Sequence, residues 1–503
     1  MIDVTFLLRG YAALRMRQLV RQNPAVAQER VLRRLVRRAR RTAFGLAHDF
    51  GAIRNVIEYQ DKVPLRGYED FWRDWWKPRF PVLRDATWPG LIRFFALSSG
   101  TTGGATKYIP VSPAMERANR WAAIDVLAFH AHRRGKSRVM GGASFFLGGS
   151  TALSRLGKGV LAGDLSGIAA ARVPRCARGY FFPPRDVALI EDWREKIATL
   201  APLSAQRNIR SISGTPSWLL LFFEHLALLH PERPRRLSAY WPDLELIIHG
   251  GVSFAPYRAR FAEWLEGSRA ELREVYPASE GFIAIADRGP GEGMRMILDG
   301  GLFYEFIPVE ELGAPNPTRH WIGTAQAGVE YAVAISSNAG LWSYLLGDTV
   351  RLVSLDPPRL LVTGRTSYML SVAGEHLIGA ELDAAVLEAV TSCGGSLVEY
   401  AAGAVPPHPG EARTGHVFVI EASGDKLDAE RATAVLDGAL ARLNADYAAH
   451  RSGAFGMLPP RVILVGSGTF TRWMESRGRL GGQNKVPRVI HDQALLASLL
   501  ELC

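Results

Sequence analysis

Two short apolar runs that stop on glycine or a turn limit this chain more than any other feature. LELIIHGG (244–251) and AELREVYPASEG (270–281) each read as a short buried strand. VSFAPYRARFAEWLEG (252–267), between them, reads as a helix. Strand, helix, strand is the pattern of an α/β architecture, in which ligand loops gather where strands end. A third run, LIRFFAL (91–97), leads into SSGTTGGATK (98–107), a loop of hydroxyls and glycines that ends in a lysine.

The chain has 503 residues, more than one core supports, so at least two domains are expected. Residues 1–50 read as helical, and YQDKVPLRGYEDFWRDWWKPRFPVL (59–83) as turns followed by an aromatic-rich helix. SPAMERANRWAAIDVLAFHAHRRG (112–135) reads as a capped helix, with Ser112 as N-cap, Pro113 first and Glu116 completing the box. From 294 to 365 short apolar runs alternate with turn residues, which predicts a sheet-rich subdomain. After VTGRTSYML (362–370) come a helix, a strand, a helix and a strand, the content of a small α+β domain. The expected division is a large domain over 1–365 and a small one over 366–503.

The net charge of +11 is concentrated. Residues 1–41 hold eleven arginines against Asp3 and Glu29, a net of +9. Val31, Leu32, Leu35, Val36 and Ala39 form a helical stripe among these arginines, with no aromatic residue interleaved. That pattern favours a scaffold helix with solvated arginines over a surface for nucleic acid or membrane. No apolar run approaches the ~18 residues of a membrane span, and the N-terminus lacks a signal-peptide order. Three cysteines without a CxxC spacing (Cys176, Cys393, Cys503) fit a reducing cytoplasm.

The loop at 98–107 carries the first chemistry. Small residues let backbone N–H groups approach an anion, Ser98, Ser99, Thr101, Thr102 and Thr106 add hydroxyl donors, and Lys107 adds a charge. A Walker A loop is excluded, because the lysine lies in Thr106-Lys107-Tyr108 and not in G-K-[ST]. EVYPASEG places Tyr276, Ser279 and Glu280 at a strand end, and LWSYLLGDTVRLV places Tyr344, Gly347 and Asp348 at another turn. A ring can stack on a base, a carboxylate can hold magnesium, and an aspartate can accept both ribose hydroxyls. Taken singly, each is better read as an ordinary core tyrosine, solvated glutamate or turn aspartate.

Their order carries more. S-S-G-T-T-G-G-x-x-K, Y-x-x-S-E, Y-x-x-G-D and then T-G-R at 363–365 resemble the adenylate-forming enzymes, and most of all the auxin-responsive "Gretchen Hagen" acyl-acid amido synthetases. NPAVAQERVLRRLVRRARRTAFGLAHDF, GDLSGIAAARVP, SISGTPSWLL and GGQNKVPRV look like the same family, so the resemblance covers nearly the whole chain. It implies a ligase that uses ATP and Mg2+. A carboxylate attacks the α-phosphorus, pyrophosphate leaves, and the acyl group then passes to an amine. By resemblance Ser98, Ser99, Gly100, Thr101, Thr102, Gly103, Thr106 and Lys107 would hold the phosphates. Tyr276 and Ser279 would lie at the adenine, Glu280 at the metal, and Asp348 and Tyr344 at the ribose. Arg365 would reach the ribose or α-phosphate, and Lys485 would swing in for adenylation. Gly250 and Gly251, with Trp218 and Phe222 four residues apart on one helical face, would border the acyl pocket, although core packing explains the last two equally.

The chain departs from the pattern at Pro277-Ala278, at Leu345-Leu346 where plant members often have arginine, and at His376 where bacterial relatives often have lysine. Two alternatives stay open: a thiol acceptor such as coenzyme A or a carrier, and a degenerate binding scaffold. The amino-acid reading predicts a small carboxylic acid and an amine as partners, with no nucleic acid.

Overall fold

In the computed structural model, which describes residues 2–503 apart from 100–105, 149–150, 191, 252–253, 255–256, 290, 367–369, 371–376, 406–414, 425–426, 445–446, 449–450, 452–456 and 481–484, the chain divides into two compact units. The first comprises 1–98, 106–252 and 264–362, and the second 99–105, 253–263 and 363–503.

In the first unit, the arginine-rich helix α1 (Pro24–Ala39) begins on Asn23, whose side chain accepts from the Val26 N–H at 3.0 Å. Its aliphatic stripe is buried, and Arg30, Arg33, Arg34, Arg37, Arg38, Arg40 and Arg41 are exposed. Gln28, fully buried on this helix, donates to the Leu298 and Leu302 carbonyls and accepts from the Tyr304 N–H. The stripe and this glutamine pin the helix to the sheet, which is the scaffold packing its composition suggests.

The aromatic segment departs from a plain helix. A short α-helical stretch over Tyr68–Phe71 widens to a π-turn over Trp72–Trp76 and tightens to a 3-10 turn over Lys77–Arg79. Pro78 has no N–H to continue the α ladder, and the bulky rings of Phe71 and Trp76 pack at 5.1 Å.

Strands β1 (Phe94–Ser99) and β2 (Thr106–Val111) flank the hydroxyl-rich loop and belong to a four-stranded sheet, in which β1 runs parallel to Val160–Gly163. Helix α2 (Pro113–Arg133) follows, and Ser112 caps it as expected, accepting from the Ala114 and Met115 N–H groups at 3.1 Å. Helix α3 (Pro216–Leu229) precedes β3 (Leu246–Gly250), α4 (Arg258–Trp264) and β4 (Glu271–Ala278). β3 and β4 pair in parallel, Gly250 opposite Val275, and extend a parallel run that includes Ala143–Phe146 and Ile209–Gly214. The two-residue turn Ser279-Glu280 then reverses the chain into β5 (Gly281–Ile285). Beyond β5 the sheet continues through the sheet-rich region, including β6 (Tyr344–Leu355) and β7 (Pro358–Arg365), to twelve strands among the described residues.

The second unit holds its own sheet, β8 (Ser396–Val405), β9 (Gly415–Ser423), β10 (Arg461–Val465) and β11 (Val489–Ile490), in the order β10-β9-β8-β11. Helices α5 (Gly379–Ser392) and α6 (Ala429–Leu443) cover one face through Leu382, Val386, Leu436 and Leu440. Phe470 and Trp473 belong to a separate core cluster with Val417 and Val419. Among the described residues no helix is long and apolar enough to cross a membrane.

Candidate active site

The site in the first unit is built from strand ends. Ser98 is half-buried near the end of β1, Ser99 is the last residue of that strand, and Thr106 opens β2 at the surface. Gly100, Thr101, Thr102 and Gly103 lie outside the described residues. Lys107 is half-buried, with Nζ 5.5 Å from the centre of the Tyr68 ring, a cation–π contact. The Tyr68 hydroxyl accepts the Tyr108 N–H at 2.9 Å, and burial pushes its pKa up to about 12, so it stays neutral.

Tyr344 opens β6 and is buried. Burial and the neighbouring Glu280 carboxylate, to which its hydroxyl donates, hold its pKa well above the usual value. The neutral Tyr68 hydroxyl and the Asp348 carboxylate are electrostatic neighbours of the same hydroxyl, so Lys107, Tyr68, Tyr344, Glu280 and Asp348 form one group. Glu280 sits in the turn between β4 and β5, buried, and Ser279 beside it is half-buried. From β4, the Tyr276 hydroxyl donates to Asp348 Oδ2 at 2.5 Å, a short bond of the kind that charged acceptors make.

Local sequence explains these placements. Between Leu345 and Thr349, β6 advances four residues while its partner advances two, from Ala334 to Ala332. Gly347 takes up this bulge at φ 83°, a left-handed conformation that glycine adopts without strain, and so re-aims Asp348. Ser343, at φ 44°, turns the chain into Tyr344. Its hydroxyl donates to the fully buried Glu305 at 2.7 Å and accepts from Arg319 at 2.7 Å. The Arg66 backbone is stitched to the same turn, donating to the Ser343 carbonyl at 3.1 Å and accepting the Leu345 N–H at 2.9 Å. That stitching, two residues before Tyr68, brings the tyrosine to Lys107.

On the acyl side, Gly250 leaves no room for a side chain: a Cβ would stand 2.1 Å from the Val275 carbonyl oxygen. Gly251 is exposed at φ 84°. Trp218 is buried on α3, and Phe222 is fully buried, 5.1 Å from Phe145 and 6.3 Å from Trp241. In the second unit Arg365 is half-buried at the end of β7, and Lys485 is exposed three residues before Arg488. His376 lies outside the described residues.

Tyr68, Ser343 and Arg66 escape the sequence reading. Their only signal is the aromatic crowding around Tyr68 and the serine before Tyr344. Among the described residues no three His, Cys, Asp or Glu side chains gather to hold a metal. A single buried carboxylate, Glu280, suits an ion bound chiefly through a ligand's phosphates.

Three sequence models match along the chain: the GH3 family N-terminal domain at 14–270, the central domain at 295–365 and the C-terminal domain at 380–494. A probable indole-3-acetic acid-amido synthetase GH3.9 of Oryza sativa subsp. japonica is 28% identical over 280 residues, 50% of this chain and 62% of that protein. Indole-3-acetic acid-amido synthetase GH3.8 of Oryza sativa subsp. indica is 27% identical over 273 residues, 50% of this chain and 45% of that protein. The chain thus spans about half the length of the curated relatives it matches. In structure it is similar to the GH3.15 acyl acid amido synthetase, with a TM-score of 0.79 at 16% identity over 97% of this chain and 95% of that one. A 2-hydroxyisobutyryl-CoA ligase in its postadenylation state has a TM-score of 0.61 at 16% identity, over 94% and 90%. The mixed α/β fold is therefore that of the adenylate-forming ligases. Matched in order by all three domain models over most of its length, the chain belongs to the GH3 family.

Proposed function

We propose that this protein is an acyl-acid amido synthetase that activates a small aromatic or aliphatic carboxylic acid with ATP and passes the acyl group to an amino acid. The observation that carries this reading is the group of Lys107, Tyr68, Tyr344, Glu280, Asp348 and Tyr276. It offers one cation for phosphates and two buried carboxylates for a metal ion and a diol, each already fixed by a tyrosine hydroxyl. The relatives' names, indole-3-acetic acid-amido synthetase and acyl acid amido synthetase, support the reaction class.

In this reading the loop from Ser98 to Lys107 holds the ATP phosphates, with Gly100, Thr101, Thr102 and Gly103 supplying backbone and hydroxyl donors. Asp348 accepts the ribose hydroxyls beside Tyr344, exchanging its bond from Tyr276 for the ligand. Tyr276 and Ser279 border the adenine. Glu280 is the protein's carboxylate for Mg2+, which when bound neutralises phosphate charge. As the acid's carboxylate attacks the α-phosphorus, negative charge grows on the non-bridging oxygens. Lys107, Arg365 and Lys485 offset that charge electrostatically. Trp218, Gly250 and Gly251 border the acyl group, with Phe222 supporting that wall from the core. The large domain is 1–365 and the small one 366–503, which rotates about 363–372 to bring in Lys485 for the first step and withdraw it for the second. The half-buried Cys393 and exposed Cys503, both free thiols, suit reducing cytoplasm.

The test is ATP-dependent pyrophosphate release with indole-3-acetic acid, 2,4-DB and a wider acid panel, with and without pooled amino acids. Lys107→Ala should lower acid-dependent release by about two to three orders of magnitude, the effect of losing one preorganised charge donor. Release that rises with an amino acid supports amide synthesis. Release indifferent to amino acids but raised by coenzyme A moves the acceptor to a thiol. No acid-dependent release and no ATP binding would sink the reading.

A further inference from the structure

Arg488, three residues beyond Lys485, is half-buried and surrounded by polar partners. Its guanidinium meets the Glu399 carboxylate through Nη1, which also donates to the Tyr400 carbonyl at 3.1 Å. Nη2 donates to the Tyr257 hydroxyl at 3.4 Å, and Nε stands 3.6 Å from Asp383. The guanidinium carbon lies 4.5 Å over the Tyr400 ring, and the Arg488 carbonyl accepts the Ala402 N–H at 2.8 Å. The carboxylates have further donors: Tyr400 gives its hydroxyl to Asp383 at 2.6 Å and its N–H to Glu399 at 3.1 Å. Tyr257 belongs to 253–263, the stretch of the second unit that precedes it by a hundred residues in sequence.

Anchoring β11 against β8 does not require this group. An apolar residue at 488 would serve, because buried ion clusters are often no more stable than the apolar packing that can replace them. What the cluster adds is direction. The forked guanidinium is held from several sides at once, and a fork is pre-organised in a way that an ammonium is not. Only Val486 and Pro487 separate it from Lys485, a reach of about 10 Å, and Pro487 has a fixed φ.

We propose that Arg488 is a positioning residue for adenylation: locked by Glu399, Asp383, Tyr400 and Tyr257, it sets where the Lys485 side chain starts from. The proposal rests on the assignment of Lys485 to the first half-reaction. It implies that Arg488 matters for forming the acyl-adenylate and not for using it.

The experiment compares both half-reactions in full-length Arg488→Lys, Tyr257→Phe and Lys485→Ala proteins. The first is pyrophosphate release with an acid active in wild type, and the second is amide formation from the chemically prepared acyl-adenylate and amino acid. Arg488→Lys keeps the charge and loses the fork. It should lower kcat for release at least ~10-fold with the ATP KM within about twofold, because a catalytic group misplaced by about 1 Å loses rate and not binding. Amide formation from the supplied adenylate should stay within about twofold of wild type. Tyr257→Phe removes one hydroxyl, is the milder change if Arg488→Lys does not fold, and should show the same split at about two- to threefold. Loss in both half-reactions together, or in neither, would overturn the positioning role. If Lys485→Ala retains full release, the lysine assignment itself falls and the proposal with it. If Lys485→Ala abolishes release while Arg488→Lys and Tyr257→Phe leave it intact, only the proposal falls.

Discussion

At Asp348 a hydrogen bond from Tyr276 joins two motifs, across 72 residues. The carboxylate is buried and holds the Tyr276 hydroxyl at 2.5 Å, so under the proposed function a ribose would have to take over a bond that already exists. Asp348→Asn removes the charge and one acceptor. It should raise the ATP KM about 10–100-fold, the discrimination expected from losing one charged hydrogen bond or two. Tyr276→Phe leaves the carboxylate in place and should lower stability by about 1–3 kcal/mol, with a smaller change in the ATP KM. ATP titrations of pyrophosphate release and thermal melts of both variants check this. Asp348, Tyr344, Glu280 and Lys107 stand out in the sequence through the order of their motifs, each alone reading as an ordinary turn or core residue. Tyr68 does not, since its partner is 39 residues away and nothing local marks it. Phe222 shows another limit. Four-residue spacing puts Trp218 and Phe222 on one helical face, but it cannot tell a pocket wall from a core, and Phe222 is closed in by Phe145 and Trp241.

At the scale of elements, the parallel run and the hairpin after β4 do the placing. β3 and β4 pair in parallel, and Gly250 lets them pair closely, its hydrogen pressed toward the Val275 carbonyl. Gly250→Ala should push β4 aside, cost about 1–3 kcal/mol as overpacking does, and weaken ATP use through Tyr276, the next residue along. A lowered melting temperature with unchanged ATP affinity would show that the strand absorbs the methyl. The strand–helix–strand pattern made these elements readable from short apolar runs. The π-turn over Trp72–Trp76 was not readable, because the sequence there carries an ordinary helical content of rings and charges. Arg488 was equally silent: its partners come from α5, β8 and the stretch around Tyr257, and such long-range company leaves no periodicity.

For the whole molecule, the charges at the starts of the strands matter as much as those at their ends. Fully buried His130 bonds Glu271 through Nδ1 at 2.8 Å and Glu245 through Nε2 at 3.3 Å. Burial alone would lower its pKa, but the two carboxylates outweigh burial and raise it. Burial would likewise raise both glutamates, yet hydrogen bonds from His130 and their neighbours hold each down to about 2. A raised histidine contributes its stability fully below the ordinary value near 6.5 and loses it as pH climbs through the folded value. The depressed glutamates contribute above about 4.5 and lose it as pH falls toward 2. The melting temperature should therefore be highest between about pH 4.5 and 6.5 and fall on the alkaline side. His130→Gln should flatten that alkaline decline, and an unchanged decline would show that the cluster does not govern it.

The stretch 253–263 sits with the second unit, although it is threaded through the sequence of the first. Its Tyr257 meets Arg488 across 231 residues. On a ribosome adding about 5–20 residues each second, that tyrosine leaves the exit tunnel some ~10–50 s before its partner exists. That stretch must therefore stay available until the last strand arrives. A slow final stage of biosynthesis, sensitive to whatever else binds an exposed tyrosine and an unfinished sheet edge, is built into the order in which this chain is written.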